Sequence, residues 1–220
     1  MLLSFSLCSQ REFFKIEEYP EGNYATIFDL MNKKPTTLDS LYYEAIKLNR
    51  MADPMFPNQD DHVHFYIKST NKKVKGGYAA IKHKGQLYIN ESSLLYYLKG
   101  ANEEENRTRH YTPSGYHRVL VDGRALYIEL KFGVSSGTRA LNMRYFGLLG
   151  GLQKEMIFKS GHCGILFDPR ERNAWSITDC ESFNYAMGMY GFSSKLDCKA
   201  DKSYDIYKVR DIVVKELKRE

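Results

Sequence analysis

Residues 116–133 read YHRVLVDGRALYIELKFG, and the fold of the chain turns on this stretch. Asp122-Gly123 is a strong hairpin signal, because both residue types accept the backbone angles of a tight turn. RVLV and RALYIELKF on either side then form two antiparallel strands. Side chains alternate along a strand, so Glu129 and Lys131 share one face of the second. A carboxylate beside a lysine on a rigid strand suits phosphodiester cleavage. The acid and the Leu130 carbonyl would hold a divalent cation, and the lysine would position water or stabilise developing charge. A surface salt bridge is the plainer reading of the same tripeptide.

Downstream, GVSSGT leads to RALNMRYFGLLGGLQKEMIFKSG, whose apolar spacing favours a long helix. HCGILFD and AWSIT follow as strands, Asp179 caps a helix over ESFNYAMGMYGF, and SYDIYKVRDIVVKELK closes as a strand. Upstream, TTLDSLYYEAIKLNRM predicts a helix, with Leu38, Leu41, Tyr42, Ala45, Ile46 and Leu48 largely on one face. MADPMFPNQDD is a loop and the best boundary. HVHFYIKST and YAAIKHKGQLYIN read as strands around the lysine-rich turn NKKVKGG, and Asn90 can cap the helix ESSLLYYLKGANEEEN. MLLSFSLCSQ alternates as a first strand and lacks the basic start of a signal peptide. The expected organisation is an N-terminal strand and helix extension over 1–60 and an α/β domain over 61–220, or the two as one continuous domain. Within the latter, residues 62–100 would form a winged-helix-like basic unit or a plain hairpin.

At this point the chain resembles the PD-(D/E)xK nuclease superfamily, nearest to Holliday-junction resolvases and VRR-NUC domains. Glu129-Leu130-Lys131 on a hairpin, a helix containing Gln153 and the strand HCGILFD stand in that family's order, within roughly Glu91 to Thr178. The resemblance implies a restriction-endonuclease-like core, a mixed central sheet flanked by helices, and Mg²⁺ or Mn²⁺ as cofactor. One departure stands out. The family's aspartate on the first hairpin strand is replaced here by Tyr116, His117, Arg118 and Val119. The second ligand would then be His117, Asp122 or a helix acid such as Glu91, Glu103, Glu104 or Glu105. A three-residue turn would put His117 opposite Glu129; a two-residue turn would put Tyr116 and Arg118 on the glutamate's face. An imidazole ligand would favour manganese over magnesium.

The 220 residues carry 32 Lys+Arg against 27 Asp+Glu, a net charge of +5, with 43% apolar residues. These figures exclude a collagenous, disordered or membrane-spanning chain. The charge excess is mild, but its placement is uneven: the 29 residues from His62 to Asn90 hold six lysines and no acid. Lys72, Lys73, Lys75, Lys82 and Lys84 would hold a phosphate backbone, with Arg139 and Arg144 as further contacts. His62 and His64 alternate on a strand and could pair as ligands, but no third partner lies at a readable spacing. The four cysteines are scattered without a CxxC pair, which predicts reduced thiols in a cytoplasmic protein, host cytoplasm if viral. The expected function is a metal-dependent endonuclease of phage or mobile-element type, acting on DNA ahead of RNA, with a homodimer plausible. The rivals are a nuclease fold that binds nucleic acid without cutting, and a viral protein-binding factor with tyrosine-rich surfaces.

Overall fold

Among the residues that the structure, a computed structural model, describes (13–45, 61–74, 77–97, 115–131, 162–177, 179–199 and 205–219), strands dominate. In chain order they are β1 (Gly22–Tyr24), β2 (Leu41–Ala45), β3 (His62–Ile67), β4 (Lys72–Lys73), β5 (Ala80–His83) and β6 (Gln86–Asn90), then β7 (Tyr116–Val121), β8 (Leu126–Lys131), β9 (His162–Asp168) and β10 (Asn173–Ile177). The helices are α1 (Ile27–Met31), α2 (Glu91–Tyr97), α3 (Cys180–Met189) and α4 (Ile206–Leu217). The class is mixed α and β, as expected, but every pairing among the described strands is antiparallel, where a mixed sheet was expected. A strand–helix–strand crossover would make its flanking strands parallel neighbours. β8 and β9 instead run antiparallel, Ile128 opposite Ile165.

The first seven strands curl. Neighbours run β1-β5-β6-β7, β7 continues to β3, and β3 to β2. The chain ahead of β2 closes the ring: Asn23 of β1 donates to the Thr37 carbonyl at 2.9 Å, and Lys68 donates to the Ser40 carbonyl at 2.9 Å. Inside lie Leu41, Val63, Phe65, Val74, Ile81, Tyr88 and Tyr116. Phe65 meets Tyr88 and Tyr116 edge to face, at 5.2 and 5.3 Å between centroids. The winged-helix-like unit is therefore corrected to part of a small barrel. Its second expected strand breaks at Lys84-Gly85, whose φ of 51° and 75° make a tight turn between β5 and β6.

β7 belongs to two sheets. Its first half pairs with β6 and β3, and its second half continues through β8, β9 and β10. Tyr24, Ala80, Leu87 and Ile89 on the barrel's outside pack with Val119, Ile128, Ile165 and Phe167 of the second sheet, together with Leu30 of α1 and Leu94 of α2. The opposite face of that sheet, with Tyr127 and Leu166, is covered by Phe183 and Met187 of α3 and Val209, Val213 and Leu217 of α4. Gly123 in the hairpin has φ +141°, and a Cβ there would sit 2.1 Å from the Leu217 carbonyl oxygen, so only glycine fits.

Two expected elements change type. Residues 41–45, read as helix, form β2, because Leu41 enters the barrel and Tyr42 stacks on Tyr66 of β3. Residues 206–217, read as strand, form α4. Asp205 caps it by accepting from the Tyr207 and Lys208 amides, and Ile206, Val209, Val213 and Leu217 recur on one buried face. Helical spacing here outweighs the strand preference of valine and isoleucine. The caps at Asn90 and Asp179 form as read, Asn90 accepting from Ser92 at 2.9 Å and Asp179 from Ser182 at 2.7 Å. Reduced cysteines are also corrected: Cys180 and Cys198 are joined. Asn184 binds Leu196 through both backbone groups, which folds that segment back onto α3. The expected strand over 1–7 and the long helix over 139–161 lie outside the described residues. No described helix is long and apolar enough to cross a membrane.

Candidate metal centre

β7 sits between β6 and β3 at one end of the barrel. His117 is directly opposite His62 on β3 and Ile89 on β6. Residues opposite one another on antiparallel strands share a face. Glu91 follows β6 two residues beyond Ile89, at the first position of α2, and its amide donates to Gly115 at 3.1 Å. Two strands and the start of α2 thus deliver two imidazoles and a carboxylate to one place: a ligand atom from each of His62, Glu91 and His117 lies within 4.8 Å of the other two. His117 is 1% exposed. Burial pushes the Glu91 carboxyl up to about 7.

Two imidazoles and one carboxylate form a donor set for a borderline divalent metal, with remaining positions open to water or substrate. The rings of His62 and His117 lie almost parallel, 13° apart, with centroids at 4.0 Å. A nitrogen lone pair lies in its ring plane, so one ion cannot sit in both planes until a ring turns about its χ2. By donor type and proximity the cluster would suit a metal ion once one ring turned about its χ2.

Glu129 has a different setting. Val119 and Ile128 face the α1–α2 side, so by alternation His117 joins them there and Glu129 faces the other way, towards α4. There it is 3% exposed, and Arg210 forks onto it, Nε to Oε1 at 2.8 Å and Nη2 to Oε2 at 2.6 Å. The carboxylate holds the Arg210 guanidinium above its ordinary value. His117 and Glu129 therefore cannot serve one ion. Arg118, on the glutamate's side of β7, pairs with Asp61 at 2.9 Å.

The other expected site residues are placed as follows. Asp122 accepts from the Ile16 amide at 2.7 Å and ties the N-terminal segment to the hairpin. Leu130 and Lys131 end β8, and their side chains lie outside what is described, as do Gln153, Arg139, Arg144, Lys75 and residues 103–105. Lys82 is turned inward, donating to the Ile16 and Gly85 carbonyls at 2.8 and 2.7 Å, so it is corrected from a phosphate contact to an internal brace. Lys72 is exposed and Lys73 half-buried at the end of β3 away from His62, and Lys84 is exposed in the β5–β6 turn. The structure thus brings together two expected ligands, His117 and Glu91, and adds His62, for which the sequence offers no third partner at a readable spacing. No family model, curated protein or solved structure matches the chain.

Proposed function

We propose that this protein hydrolyses phosphodiester bonds of nucleic acid, DNA ahead of RNA, using a divalent transition metal held by His62, Glu91 and His117. The convergence of these side chains from β3, α2 and β7 carries the reading. A metal so held would activate water and polarise a phosphoryl oxygen. The protein's own groups supply the imidazole and carboxylate ligands, while exposed Lys72 and Lys84 supply phosphate attraction. Two nitrogen ligands favour Mn²⁺ or Zn²⁺ over Mg²⁺. The test is cleavage of plasmid and oligonucleotide substrates with each metal. Mn²⁺-dependent cleavage by the wild type should fall at least about a hundredfold in His62→Ala and His117→Ala, several kcal/mol of lost charge stabilisation. Undiminished cleavage by either folded variant overturns the assignment.

A second reading keeps a restriction-endonuclease-like scaffold that binds nucleic acid without cutting. The Glu129–Arg210 pair favours it, because the carboxylate of the ExK tripeptide is already neutralised by a guanidinium. Absence of cleavage with any metal, alongside salt-sensitive binding, would select it.

A further inference from the structure

Alternation along β3 sends Val63 and Phe65 into the barrel and His62, His64 and Tyr66 to its outside. Their opposite neighbours share that outer face: His117 beside His62, Glu44 beside His64, and Tyr42 and Lys73 on the two sides of Tyr66. The face is an ordered row. The two imidazoles and Glu91 stand at one end. Four residues further along β3, about 13 Å away at 3.3 Å per residue, stand two tyrosines, their rings stacked at 5.2 Å and 16°. Lys73 lies beside them, and exposed Lys68 and Lys72 occupy the same end.

The tyrosine tips are pinned. Tyr42 bonds Asn71 through its hydroxyl, and the Tyr66 hydroxyl donates to Glu44. What the pair offers a ligand is ring face, next to positive charge. Ring faces are of no use to a duplex, whose bases stack on each other and show only their edges. They suit unstacked bases, whose phosphates lysines can follow. Glu44 is the acid between the two ends of this row, and a phosphate backbone would pass on the Lys73 side of Tyr66.

We propose that the outer face of β3 is the track for a single-stranded polynucleotide, with bases on Tyr42 and Tyr66 and the chain running towards His62 and His117. The direction of the track rests on the hydrolase reading above; the binding itself does not. Anisotropy with labelled single strands of about 12 nucleotides, within the span one small barrel covers, tests it in EDTA, where no cleavage interferes. Single-stranded DNA and RNA form separate arms, with a duplex of the same sequence as control. The single strand should bind more tightly than the duplex in at least one arm. Tyr42→Ala and Tyr66→Ala should each weaken it about 5- to 150-fold, as expected for one lost base stack, and Tyr→Phe should restore binding. Duplex binding as tight as single-strand binding in both arms overturns the track, as does unchanged affinity in folded Ala variants. Tyrosine-dependent binding without cleavage in any metal leaves the track standing and removes the hydrolase; cleavage that ignores both tyrosines does the reverse.

Discussion

Two buried or half-buried carboxylates sit on opposite sides of the strands that β7 joins, and their settings differ. Glu129 faces α4 and has both oxygens occupied by the fork of Arg210. Glu91 faces the other way among His62 and His117, and among the described residues no lysine or arginine pairs with it. The first carboxylate already has a guanidinium as partner; its work is to hold α4 to the sheet. The second has a carboxyl raised to about 7 because burial is not offset by a cation. A buried acid next to two imidazoles and without a guanidinium is better prepared for a metal ion than one with an arginine already in place.

Removing Arg210 gives the largest expected change in stability. Arg210→Ala leaves Glu129 buried without its partner and should cost about 3–5 kcal/mol in chemical denaturation. Glu129→Gln on that background should recover part of it. If Mn²⁺ then stabilised Arg210→Ala more than wild type, Glu129 would be a latent metal ligand and the contrast between the carboxylates would break.

The Cys180–Cys198 bond offers a smaller perturbation of the same face. It closes a loop with a sequence separation of 18, and its loss should cost about 3 kcal/mol through the entropy of the unfolded chain. Reduction should lower the denaturation midpoint of the metal-free protein while leaving Mn²⁺ affinity, read by titration calorimetry, unchanged. A fall in affinity on reduction would show that the two faces are coupled.

The smallest effect sharpens the contrast by pH. The Glu91 carboxyl ionises near 7 when folded against 4.5 when unfolded, so between those values the folded chain binds the extra proton. Stability of the metal-free protein should therefore be fully present below about pH 4.5 and fall as pH rises towards 7, by at most about 3 kcal/mol. Denaturation in EDTA at pH 5 and pH 8 should show this difference in wild type and lose it in Glu91→Gln. With saturating Mn²⁺ the trend should reverse, since a bound carboxylate is ionised. An identical pH response in Glu91→Gln would place the titration elsewhere.

Local features were legible in the chain, and long-range ones were not. Asp122-Gly123 with alternation on both sides announces the β7–β8 hairpin, and Asn90 and Asp179 announce the starts of α2 and α3, because turns and caps involve residues close in sequence. Residues 41–45 look helical by apolar spacing, but only pairing with β3 decides them. In 206–217 the valines and isoleucines suggest a strand until the spacing of the buried face is weighed. The cluster of His62, Glu91 and His117 draws on β3, the β6–α2 junction and β7, whose registers are set by tertiary pairing. His62 therefore looked solitary, although its partner was already among the candidates. Glu129 was legible as a strand residue, but Arg210, 81 positions away, was not legible as its partner.

The place where β3 meets β7 also has a kinetic meaning. The β5–β6 and β7–β8 hairpins join neighbours in sequence and can form early. The His62–His117 pairing instead spans a long loop, whose closure entropy is spent before any contact rewards it. That seam is expected among the late steps of folding, together with the cluster it carries. An ion bound there grips contacts that the transition state lacks: it would leave the rate of folding almost untouched and act as a latch, slowing the rate at which the native barrel opens.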